Sequence, residues 1–135
     1  MKERVKPGQI AFKLAIAAVL AALVCVATII FTISIPATSG YFNLGETVIY
    51  VAALLFGSYV SGLAGGVGAS IADMLVAAQF APGTLVIKGI EGMIVGFLNR
   101  KMTVHTAKPS LSATIAVIVG GLEMITGYFL YEHLV

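Results

Sequence analysis

Apolar residues in this chain do not alternate with polar ones. They run in five long blocks separated by short stretches rich in glycine, proline and polar residues. The first block, residues 9–34, carries a single charge, Lys13, near its start. It exceeds the roughly 20 residues that take a helix across about 30 Å of hydrocarbon. A signal peptide would have a shorter apolar core and a small-residue cleavage site, so this block is expected to be mature structure. After a break at 36–43 comes the block 44–59, with Glu46 in its first turn. A turn at Ser61-Gly62, a block at 63–79, a break at Pro82-Gly83 and a fourth block at 84–98 follow. Residues 99–110 are the one long polar stretch beyond the amino terminus, and 111–130 form the fifth block. A lipid-facing barrel needs alternation over about ten residues per strand. Continuous runs favour helices, which satisfy their own backbone in lipid. The expectation is an all-α integral membrane bundle of five transmembrane helices, forming one domain over residues 1–135.

Composition strengthens that reading: 59% of the 135 residues are hydrophobic and 10% charged, against roughly 25% charged in a soluble domain. The basic residues then orient the bundle. Lys2, Arg4, Lys6 and Lys13 precede or open the first block, and Arg100, Lys101 and Lys108 lie between the fourth and fifth. Alternating crossings bring both clusters to one side, which the positive-inside bias assigns to the cytoplasm. The breaks at 36–43 and 79–83 face outward and hold no basic residue. Five crossings leave Val135 outside.

Charges within the apolar blocks are costly and face a bundle interior or a polar cavity, so each is a candidate for function. They are Glu46, Asp73, Lys88, Glu91 and Glu123. On this topology all five gather in the outer half of the bundle, around an externally open pocket. Lys88 and Glu91 stand three apart on one helical face, so an ion pair that serves packing is an alternative. Glu46 follows Asn43 at a helix start, where capping and the helix dipole would also account for it. Asp73 and Glu123 have no such local partner and are the stronger candidates to meet a substrate, an ordered water or a basic group. Tyr41, Phe42 and Asn43 are placed to close over an organic ligand, or to form an interfacial aromatic belt.

Small residues form stripes. Ala11, Ala15, Ala18 and Ala22, with Ala17 and Ala21 beside them, make a thin face on the first helix, and Gly62, Gly65, Gly66, Ala69 and Ala72 thin the third. Such faces let helices approach closely, within the chain or against a separate membrane subunit.

Catalytic and metal constellations are missing from the sequence. Cys25 is the sole cysteine, so no intrachain disulfide or cysteine metal cluster can form. His105 and His133 fall on opposite sides of the expected topology. The chain has no Gly-x-x-x-x-Gly-Lys-Ser/Thr phosphate loop and cannot itself couple nucleotide hydrolysis. A net charge of +2, with basic residues explained by topology, gives no footprint for nucleic acid.

Four segments carry a resemblance. They are the alanine-rich first helix, the loop Pro36-Ala37-Thr38-Ser39-Gly40-Tyr41-Phe42-Asn43-Leu44-Gly45-Glu46, the segment from Gly62 through Asp73, and Ala81-Pro82-Gly83-Thr84-Leu85-Val86-Ile87-Lys88-Gly89-Ile90-Glu91-Gly92. Together they resemble the substrate-binding S components of energy-coupling factor (ECF) transporters, with residues 43–92 the specific part. The resemblance implies a multi-pass protein of the prokaryotic cytoplasmic membrane, amino terminus inside, that captures a small water-soluble vitamin or precursor and is not an enzyme. It implies a transmembrane coupling subunit (T) and two cytoplasmic ATPase subunits, which use ATP; no cofactor is implied in this chain. The coupling subunit would meet Ala17 and Ala21 or Ala18 and Ala22, and substrate would meet Tyr41, Asn43, Glu46, Asp73, Lys88, Glu91 and Glu123. Such proteins have six helices and reorient in the membrane during transport, so a last helix is expected to be missing here. The rival from the residues alone is a structural or assembly subunit whose buried charges pair internally. A membrane enzyme is a third class, without a recognisable nucleophile.

Overall fold

The computed structural model describes residues 4–37 and 40–134. Lys2, Thr38, Ser39 and Val135, which figure in the expectations above, lie outside the described residues. The element order is α1 (Pro7–Ile30), β1 (Ile33–Ile35), β2 (Gly40–Phe42), α2 (Gly45–Phe56), α3 (Ser58–Val76), α4 (Ala81–Thr106) and α5 (Pro109–Leu134). The described residues contain four helices long and apolar enough to cross a membrane: α1, α3, α4 and α5. The second expected span is α2, and its 12 residues rise only about 18 Å.

Three boundaries differ from the pattern-based expectation, each for a local reason. The turn between the second and third blocks falls at Gly57, not at Ser61-Gly62. Gly57 has φ 88°, a left-handed conformation that a side chain would strain. Ser61 instead stays helical, its single hydroxyl hydrogen shared between Gly57 O at 2.8 Å and Gly92 O of α4 at 2.7 Å. Pro82-Gly83 does not break a helix: proline is accommodated in the first turn of α4, where the missing N–H has no partner to lose. The polar stretch 99–110 is mostly helix as well. α4 continues through it to Thr106 and ends where Ala107 adopts φ 53°, before Pro109 opens α5. Strands, disfavoured as a spanning structure, occur among the described residues only as a short antiparallel hairpin with Ile33 opposite Phe42 and Ile35 opposite Gly40.

α3 and α4 form the centre, with α1 packed on α3, α5 on α4, and α2 across the first, third and fourth helices. Apolar burial alone does not drive such contacts between helices in lipid; close approach of small residues does. At Gly92 an added Cβ would lie 2.6 Å from Ser61 O, and at Gly66 it would lie 2.8 Å from Leu85 O. The α3–α4 backbones are therefore in contact and leave no room for side chains between them. Small cores flank this seam: Val24, Ile49 and Ala69 on the α1 side, and Ala53, Val95 and Ala116 on the α5 side. The alanine stripe on α1 divides. Ala17 is buried and Ala21 backs onto Gly68 of α3, whereas Ala18 and Ala22 lie on the exposed face.

Candidate functional site

Antiparallel progression of the helices brings the end of α1, the hairpin, the start of α2, the end of α3, the start of α4 and the end of α5 to one end of the bundle. Four of the five internal charges meet there. Lys88 of α4 is the hub. Its ammonium donates to Glu46 of α2 and to Glu91 Oε2, one turn along α4, at 3.0 Å. It also lies 2.8 Å from Met124 Sδ and 5.8 Å from the centre of the Tyr128 ring, both on α5. Tyr50 of α2 donates to the other oxygen of Glu91 at 2.8 Å. Glu91 is fully buried and Lys88 is 6% exposed.

A second polar group sits beside the first. Asp73, near the end of α3, accepts hydrogen bonds from the hydroxyls of Tyr41 in the hairpin and Thr84 in the first turn of α4. With its own hydrogen directed to Asp73, the Thr84 hydroxyl accepts from Tyr128, 2.8 Å away. Asn43 has a positional role: its Oδ1 accepts the N–H of Gly45 at 2.8 Å and the Thr28 hydroxyl at 3.3 Å, tying the start of α2 to α1. The α2 start is thus held by Asn43, and Glu46 is left to pair with Lys88. One oxygen of Glu46 and one of Glu123 are buried with no hydrogen-bond partner among the described residues.

These groups form part of the wall of a cavity of about 450 Å³, within the range of small-molecule sites. Tyr41 and Phe42 come from the hairpin, Phe80 from the α3–α4 turn, and Tyr128 and Phe129 from α5. Phe80 and Tyr128 meet edge to face, centroids 6.5 Å apart. The polar part of the wall is Asn43, Glu46, Asp73, Lys88 and Glu132. Of the substrate-contact candidates that residue type singles out, Tyr41, Asn43, Glu46, Asp73 and Lys88 line this cavity. Glu91 lies behind Lys88, and Glu123 is on α5 outside the lining. Phe80, Met124, Tyr128 and Glu132 are lining residues that residue type did not point to, and neither did it point to Tyr50 and Thr84, which hold Glu91 and Asp73 from outside the lining. Met124, Tyr128 and Glu132 recur every fourth residue on α5, a stripe that helical periodicity makes legible once that face is known to be interior.

A hydrophobic bundle with a charged, aromatic-walled cavity at one end is a membrane-embedded binding protein for a small organic molecule. Comparison with known proteins agrees: the family model for the S component of ECF-type riboflavin transporters matches residues 10–135. A Pyrococcus woesei protein, described as an uncharacterized protein in gap 3' region, is 41% identical over 105 residues, covering 78% of this chain and 68% of that protein. The chain belongs to the ECF-type S component family. It is a non-catalytic subunit that captures a small micronutrient for transport across the membrane.

The ion cluster yields a direct stability test. Lys88→Met leaves the fully buried Glu91 and the partly buried Glu46 without their cation, a loss of about 3–5 kcal/mol for a broken buried pair. Adding Glu46→Gln removes one uncompensated charge and restores part of that loss, measured as thermal unfolding in detergent. Equal stability of wild type and Lys88→Met would show that the cluster contributes nothing to the fold.

Proposed function

We propose that the captured molecule is riboflavin or a closely related uncharged flavin, taken up from the external side. The observation that carries this is the make-up of the cavity wall, which combines aromatic side chains from three segments with carboxylates and Lys88. A flavin combines the same two characters. Its flat tricyclic ring system suits offset or edge contacts with Tyr41, Phe80 and Tyr128, and its hydroxylated chain suits the acceptors Asp73 and Glu132. Charge favours an uncharged ligand. Lys88 is already paired with two carboxylates, and Glu132 and Asp73 leave the wall with excess negative charge, which repels a phosphorylated flavin. The family's name supports the same substrate class.

The expected experiment is titration of the purified chain, without any ATPase, following quenching of flavin fluorescence. Riboflavin binds, flavin mononucleotide binds at least about tenfold more weakly, and Asp73→Asn weakens riboflavin by about 1.5–3 kcal/mol, the worth of a hydrogen bond to a charged group. Ala18→Leu with Ala22→Leu retains this affinity but loses co-purification of the coupling subunit, because the exposed half of the α1 stripe is the proposed docking face. Absence of quenching, or an unchanged affinity in Asp73→Asn, contradicts the proposed site. Failure of binding in the leucine variant assigns the stripe to internal packing.

The proposed topology has five crossings and a cytoplasmic amino terminus, with the T subunit and two ATPase subunits acting from that side. Arg4, Lys6, Lys13, Arg100, Lys101 and Lys108 support it by falling at the end opposite the cavity. α2 supports the fifth crossing despite its length. It starts beside Thr28 and ends near Lys13, and the α1 residues between those two rise about 22 Å. Cysteines placed at Ala37 and Thr106 should label from opposite faces of intact cells; labelling from one face contradicts the topology.

A further inference from the structure

The end of the bundle away from the flavin cavity holds a second cavity, of about 520 Å³, where α1, the α2–α3 turn and the last turns of α4 meet. Its polar wall is cationic: Lys13, Arg100 and Lys101 line it, with the His105 imidazole. Among the described residues no carboxylate lines it, and the ion pairs formed by described residues all involve Lys88 at the other end. The first three residues of α3, Ser58, Tyr59 and Val60, also line the cavity. Their N–H groups have no intrahelical partner, and no side chain caps this helix start. Beside these donors stand apolar side chains open to the surroundings: Phe56 is 45% exposed, Phe97 56%, Tyr59 75% and Val104 78%. Lys101 lies over the Phe97 ring, 5.7 Å from its centre, so charge and apolar surface are joined in one wall.

We infer that this cavity binds the headgroup of an anionic phospholipid from the leaflet at that end. Three cationic side chains and the uncapped start of α3 suit a phosphate diester. The aromatic rings and Val104 suit the glycerol and the first acyl carbons, contacts that a free phosphate ion would leave unused. Basic pockets between transmembrane helices are a recurrent form of headgroup site. The site is separate from the flavin cavity and independent of the ligand proposed there.

The test uses the full chain purified in a zwitterionic detergent, with lipid retention read by native mass spectrometry. Phosphatidylglycerol is expected to bind and phosphatidylcholine not. Arg100→Gln and Lys101→Gln should each weaken phosphatidylglycerol by about fivefold, the effect of one basic side chain at a membrane surface. Lys108→Gln, at the same end but outside the cavity lining, should leave it unchanged. Unaltered melting of the variants in phosphatidylcholine confirms that they are folded. Equal retention of both lipids, or equal losses in Lys108→Gln and the cavity variants, overturns the site in favour of diffuse attraction. Inorganic phosphate displacing the lipid at comparable concentration overturns the lipid assignment in favour of a simple anion site. Variants that keep phosphatidylglycerol but lose the coupling subunit mark the cavity as a protein contact, which also overturns it.

Discussion

A lysine ammonium buried at membrane depth is the constraint around which this structure is arranged. Unpaired, it would be among the most costly groups the bundle could contain. Lys88 is held by Glu46 from α2 and Glu91 from its own helix, with Met124 and Tyr128 of α5 closing over it. Three helices are therefore tied to a single atom. The same atom lies in the wall of the cavity, so the device that satisfies the charge also shapes the place where a ligand would sit. Its carboxylate partners neutralise it, and this is why the proposed ligand is an uncharged molecule and not an anion seeking a free lysine.

The cluster can be this compact because the helices beneath it are so close. Ser61 reaches across to Gly92 O, and the glycines of α3 and α4 leave backbone against backbone. Such a seam holds the Asp73 end of α3 against the Thr84 end of α4, and the hydrogen bond between them is the structural link from scaffold to cavity. Asn43 does the corresponding work for α2, fixing its start against Thr28 so that Glu46 points at Lys88. Family membership accounts for why a substrate subunit should have such a cavity, and the residues account for how this chain builds one.

Much of this was legible in the sequence because lipid leaves few options. Long apolar blocks become helices, and a charge within one needs a partner, so Glu46, Asp73, Lys88 and Glu91 stood out from residue type alone. Glycine was the source of the misplaced boundaries. Ser61-Gly62 has the composition of a turn, but in lipid the same residues serve close helix contact, and the turn falls one helical turn earlier, where Gly57 has a positive φ. The polar stretch from Asn99 resembled a loop because polarity marks the exit from hydrocarbon, not the end of a helix. Tyr50, Thr84 and Tyr128 could not be singled out, since a tyrosine or threonine in a membrane helix carries no signal until the topology places it beside a carboxylate. The division of the alanine stripe was equally hidden: which of two adjacent faces turns inward depends on where Gly68 of α3 sits.

If the cavity beside Lys88 is the proposed flavin site, it holds an uncharged flavin without help from any other subunit. The most direct measurement is native mass spectrometry of the chain purified alone from riboflavin-supplied cells. The predicted result is a single added mass equal to one riboflavin per chain, absent when the cells lack flavin and restored by adding riboflavin to the purified protein. A chain that is released bare under both conditions, or that carries a compound without a flavin ring, would contradict the proposed site.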